Sequence, residues 1–176
     1  MSAVTGTDSF RRFALELYRR AGVADACLGL QDRYELDVNI VLFAAFVGAA
    51  QRQELTAADL DRAHEQVDAW HDEVVRPLRA VRRRLKTGPA PAPDDATAAL
   101  RRKLAQLEIE AEIIELDQLG VLIAQVDPPR SAGGVAECAT AAIETVVRTH
   151  GGAGFDDRDR EAIDLIAAQA RHVDAG

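Results

Sequence analysis

At 176 residues the chain has the length of one domain able to bury roughly 70% of its unfolded surface without staples. It is 48% hydrophobic and only 5% aromatic, and its formal charge of -8 argues against a general nucleic-acid binder, whose affinity comes from Lys and Arg on phosphates. The wealth of Ala, Leu, Arg and Glu favours helix over sheet, so the expected fold is all-α, a single-domain bundle of about six to seven helices.

In chain order, a first helix is expected from a Ser9 cap, with Phe10, Phe13, Ala14, Leu17 and Tyr18 on one face and Gly22 at its end. A second, about Val23 to Tyr34, presents Val23, Ala26, Cys27 and Leu30. Asp37 then caps a third. Its apolar stretch, Val38 to Ala50 with the unbroken run Ile40 to Val47 inside it, is well short of the roughly 20 residues that span a bilayer, so it is expected as the buried central helix. Thr56 opens a fourth, striped by Leu60, Ala63, Val67, Trp70 and Val74. Pro77 either kinks it or starts a new helix, with Leu78, Val81 and Leu85 carrying the stripe to a stop at Thr87-Gly88.

The segment GPAPAPDD, residues 88–95, is a semi-rigid linker between N-terminal helices (9–87) and C-terminal helices (96–176). Asp94 or Asp95 caps a long helix, about Ala96 to Gln125, closed by Asp127-Pro128-Pro129. Two more helices, about Val135 to His150 and Asp157 to Val173, flank the turn GGAGF.

The long helix carries two apolar stripes. Leu100, Leu104, Leu107, Ala111 and Ile114 form one, and Ile109, Ile113, Leu116 and Ile123 the other; acidic rows (Glu108, Glu112, Glu115, and opposite them Glu110 with Asp117) run between. Such a helix is packed on two sides, either within the molecule or with one stripe as a homodimer seam over residues 100–123. Cys27 and Cys138 stand far apart as two reduced thiols, and MSAVTGTDSF has no basic segment followed by an apolar core, so a cytoplasmic protein is expected.

For chemistry, Asp61, His64, Asp68 and His71 share one helical face as two Asp-x-x-His pairs a heptad apart, and His at i and i+7 with Asp at i+4 could ligate one ion, zinc or iron by donor type, although an exposed polar row looks the same. The segment VVRPLRAVRRRLK, residues 74–86, holds six basic groups and no acid. Arg76, Arg79 and Arg83 fall on one face, opposite Leu78, Val81 and Leu85. That row is an anion site, an RNA or membrane contact, or an internal counter-charge; the last is favoured, with Asp32, and Asp37 or Asn39, entering the core to meet it. No catalytic residue is identified: nucleophile elbow, Walker, dinucleotide and HExxH patterns are all missing, and no cofactor is implied.

The order LQD, DVN and LF within Phe10 to Phe43, then WxxxVVRPLRxVRR from Trp70 to Arg83, then LExEAE from Leu107 to Glu112, resembles a small bacterial family known only as a domain of unknown function. The resemblance covers about Phe10 to Leu119; it implies a cytoplasmic helical fold and carries over no activity. The leading functional expectation is therefore a non-enzymatic adaptor or regulator acting through an unknown protein partner. A small-molecule or anion binder using Arg76, Arg79 and Arg83 is the alternative, and a metal-dependent enzyme built on the Asp/His face with Glu from the long helix a further one.

Overall fold

A helix that is apolar on every side can only be stable with protein all around it, and in the computed structural model, which describes residues 2–125, 133–151 and 154–173, every residue of 40–49 is buried. These belong to α3 (Val38–Ala49), which Asp37 caps by accepting a hydrogen bond from the Asn39 amide. Around α3 pack α1 (Ser2–Tyr18), α2 (Val23–Tyr34), α6 (Asp95–Leu122), α7 (Val135–Gly151) and α8 (Asp157–Ala170). The fold is all-α, and no helix among the described residues is long and apolar enough to cross a membrane.

Phe10 and Phe13 of α1 meet Phe43 and Phe46 of α3 edge to face, with Phe13 and Phe46 centroids 5.2 Å apart. Each such pair adds about 0.5–1.5 kcal/mol beyond its buried area. On the other side α7 approaches so closely that a Cβ at Gly48 would lie 2.4 Å from the Cys138 carbonyl oxygen. Only glycine admits this contact.

Other boundaries follow their caps. Thr56 and Asp59 form a capping box at α4 (Ala57–Trp70), and Asp94 with Thr97 does the same at α6. Ser9, however, is no cap. It lies inside α1, which runs back to Ser2 because its first turns dock on α6, where a Cβ at Gly120 would come 2.9 Å from Thr7. The segment Asp127-Pro128-Pro129 and Gly152 and Ala153 of the GGAGF turn lie outside the described residues.

The largest departure from simple periodicity falls before Pro77. A proline there has no N–H to donate, and its ring would crowd the Glu73 carbonyl in a regular α-helix. The chain widens instead into a π-helical turn, His71–Val75, closed by the Arg76 amide donating to the His71 carbonyl, before α5 (Arg76–Arg84) resumes. The extra residue delays the apolar stripe by one position, so Val75, and not the expected Val74, is fully buried. It also rotates α5: Val81 is 50% exposed, while Arg79 and Arg82 turn towards α6.

Candidate functional site

The acidic row of α6 faces inward. Glu115 is fully buried and Glu108 nearly so, and they meet α5 and the N-terminus of α3 in one continuous charged network. At one end Arg79 donates from Nε to Glu108 (2.9 Å) and from Nη2 to Glu112 (2.6 Å). Arg82 donates to both oxygens of the same Glu108 carboxylate. Burial raises the Glu108 pKa, but the hydrogen bonds from Arg82 and Arg79 outweigh it and hold the group below the usual carboxylate range. Glu112, with one arginine contact against its burial, is pushed up.

At the other end stand Asp37, His71 and Glu115. His71 Nδ1 lies 3.2 Å from Glu115 Oε2 and 3.4 Å from Asp37 Oδ2. Asn39 holds both outer oxygens: its amide N–H donates to Asp37 Oδ1 and its Nδ2 to Glu115 Oε1, each at 2.8 Å. Burial, then the adjoining Glu115 carboxyl, raises the Asp37 pKa well above normal, and burial raises that of Glu115. Trp70 Nε1 donates to the Ala111 carbonyl at 3.0 Å and ties α4 to α6 just before the π-turn.

The network borders a cavity of about 370 Å³ enclosed by α1, α2, α3, α5 and α6. Its walls are mostly apolar, formed by Leu15, Leu28, Val38, Leu42, Ile109 and Ile113, while Tyr18, Gln31, Asn39, the arginines Arg79, Arg82 and Arg83 and the acids Asp37, Glu108 and Glu112 supply polar groups. Burial raises the Tyr18 pKa and keeps its hydroxyl a donor. Leu28 and Ile109 are 40% and 53% exposed at the edge. Behind it a second, more polar cavity of about 350 Å³ is lined by Gln31, Asp32, His71, Arg76 and Arg83.

Several residues singled out by sequence sit elsewhere than expected. Asp32 does not enter the core; its side chain is 70% exposed, because Leu30 and Gln31 occupy the inward face of α2, and its nearest arginine atom is Arg83 Nη2 at 3.8 Å. Arg76 is exposed and bonded to Asp72. Asp37 and Asn39 are buried, but against His71 and Glu115, while Arg79 of the basic row takes Glu108 and Glu112 instead. The Asp/His face is split as well. His64 Nδ1 bonds Asp68 at 2.9 Å and its ring lies 4.9 Å from that of His150, Asp61 is exposed, and His71 meets Asp37 and Glu115 instead. The acidic row Glu108, Glu112 and Glu115 invites a metal reading from sequence alone, but which partner each member meets, and the part of Arg82, are not legible there.

A family model described as a protein of unknown function, DUF2390, matches residues 9–119, which hold every member of the network. No curated protein and no solved structure matches the chain significantly.

Proposed function

The chain belongs to the DUF2390 family of proteins of unknown function, and for this member we propose the role of a binder of small anionic amphiphiles. One observation carries this reading: an apolar-walled cavity of about 370 Å³ has three arginines, Arg79, Arg82 and Arg83, on a single side. That volume is within the roughly 300–1,000 Å³ of small-molecule sites, which are mostly apolar with a few convergent polar groups. Arg79 and Arg82 are fixed by Glu108 and Glu112, whereas Arg83, 59% exposed and 3.8 Å from Asp32, has a loosely held guanidinium to offer an anion. The free, buried thiols Cys27 and Cys138 suit a reducing compartment, which agrees with a cytoplasmic location.

The test varies the head group at constant tail. Decyl phosphate and decanoate are expected to raise the melting temperature, and decanol and decylamine to leave it unchanged. Equal effects from all four, or from none, would refute the reading.

A second reading, closer to an adaptor, has its own observation. Leu100, Leu107, Ile114 and Val121 recur every seven residues along α6 and are each 45–49% exposed, a heptad seam on a 28-residue helix. Arg102 and Lys103 flank its first half, Glu110 and Asp117 its second. Antiparallel pairing with a second copy sets basic end against acidic end, whereas parallel pairing opposes like charges. Light scattering is expected to give a dimer that Leu107→Glu converts to a monomer; a monomeric wild type at high concentration removes this reading.

A further inference from the structure

We propose that Asp37, His71 and Glu115 form a binding site for one divalent transition-metal ion, zinc by preference, independently of any ligand in the neighbouring cavity. One ligand atom of each residue, an imidazole nitrogen and two carboxylate oxygens, lies within 4.8 Å of the other two. The two separations from Nδ1 are 3.2 and 3.4 Å. Zinc bonds of about 2.0–2.1 Å to imidazole and carboxylate in a tetrahedron place neighbouring ligand atoms about 3.3 Å apart, so these two edges already have the required length.

The second indication is independent of this spacing. Asp37 is nine-tenths buried, and its Oδ2, turned towards His71 and Glu115, receives no hydrogen bond among the described residues. A carboxylate oxygen left bare in the interior costs several kcal/mol unless a cation or proton meets it. The outer oxygens are meanwhile held by one residue, Asn39, through its N–H to Asp37 and its side-chain amide to Glu115. Orientation of metal-binding carboxylates by outer hydrogen bonds is the usual supporting arrangement of a metal site. The inner oxygens are thereby aimed at His71.

The backbone supplies the third indication. Short π-turns are rare and gather at functional sites, and this one begins at the ligating histidine, whose own N–H still bonds the Val67 carbonyl in the register of α4. One imidazole with two carboxylates suits zinc, iron or manganese better than the all-oxygen preference of calcium and magnesium. The three groups would supply one neutral nitrogen and two anionic oxygens, leaving a position for water or a ligand atom. Asp37 lines the apolar cavity and His71 the polar one behind it.

The experiment uses the full chain after chelator treatment and dialysis. Calorimetric titration with Zn²⁺ is expected to give one equivalent, and Co²⁺ to develop the visible bands of a four-coordinate site. Glu115→Gln, which keeps the size of the side chain and an acceptor for Asn39, and His71→Ala are each expected to weaken binding by about 100-fold. His64→Ala, removing a histidine on the neighbouring helix, is expected to change nothing; circular dichroism of each variant verifies that it is folded. Failure to take up a stoichiometric ion, as when a proton shared by the two carboxyls fills the gap, overturns the proposal. So does Zn²⁺ binding unchanged in folded Glu115→Gln, or abolished by His64→Ala.

Discussion

Arg79 of α5 reaches across to Glu108 of α6 with an Nε to Oε1 distance of 2.9 Å, both side chains being more than four-fifths buried. The pair fixes α5, a helix with no fully buried residue of its own, against the rest of the protein. Arg79→Ala would leave Glu108 with Arg82 alone and Glu112 with no partner from α5. Breaking one partner of a buried ion pair costs about 3 kcal/mol or more, which for a chain of this size is a fall of roughly 6–12 °C in melting temperature. Differential scanning calorimetry measures it directly.

The neighbouring Arg83 behaves oppositely. With 59% of its side chain exposed and its acidic contact 3.8 Å away, Arg83→Ala is expected to change stability by less than about 0.5 kcal/mol. Denaturant unfolding of the two alanine variants side by side separates a structural arginine from one available to a ligand.

The folded-state pKa of Glu108 is depressed, so the native protein keeps this group ionised where the unfolded chain protonates it. Its contribution is present above the unfolded carboxylate value of about 4.3 and is lost as pH falls through the lower folded value. Glu108→Gln is therefore expected to be less stable than wild type at pH 7 and to converge with it in strong acid. Urea midpoints measured from pH 7 down to pH 3 reveal whether the gap closes.

Gly48→Ala tests the centre of the bundle. The added methyl would meet the Cys138 carbonyl oxygen and the Ala139 Cα at 2.4 and 2.6 Å, both of them backbone atoms that move only with α7. The expected loss is about 3 kcal/mol, the upper end for overpacked cores, seen as a lower melting temperature with unchanged helix content.

Asp37→Asn has an unusual expected sign. Asparagine keeps an oxygen for the Asn39 amide, so the cap of α3 survives, while the cost of a carboxyl that burial holds back from ionising, and that the unfolded chain ionises freely at neutral pH, disappears. In chelator-treated protein at neutral pH the variant is expected to be more stable by about 1–2 kcal/mol, because a carboxyl whose pKa is raised on folding destabilises the fold above its unfolded pKa. Thermal unfolding in the presence of chelator is the measurement.

Much of the scaffold could be read along the chain because its determinants are local. Asp37, Thr56 and Asp94 cap helices within three residues of themselves, and the run from Ile40 to Val47 has no polar face to turn outward. The site could not be read the same way. His71 and Glu115 are 44 positions apart, and periodicity counted at 3.6 residues per turn puts His71 in one row with His64 and Asp68 without showing that α6 covers its end. His71 keeps the register of α4 and is covered because α6 packs over that side, whereas the π-turn redirects the residues after it, an irregularity that Pro77 signals without its direction. The arginine row was visible as a charge cluster, but which members pair depends on how α5 is rotated after that turn. Asp32 was drawn inward by its apolar neighbours; Gln31, one position earlier, is the polar residue of α2 that goes in.

The account rests above all on the cavity beside Arg83 being a place where an anion with an apolar tail comes to rest. Calorimetric titration of decyl phosphate into wild type and Arg83→Glu addresses it most directly. Wild type is expected to bind one equivalent with an affinity that falls as salt rises, and the variant, equally stable, to bind at least about tenfold more weakly, a loss of some 1.4 kcal/mol. No heat of binding to wild type, or equal affinity in both proteins, would contradict it.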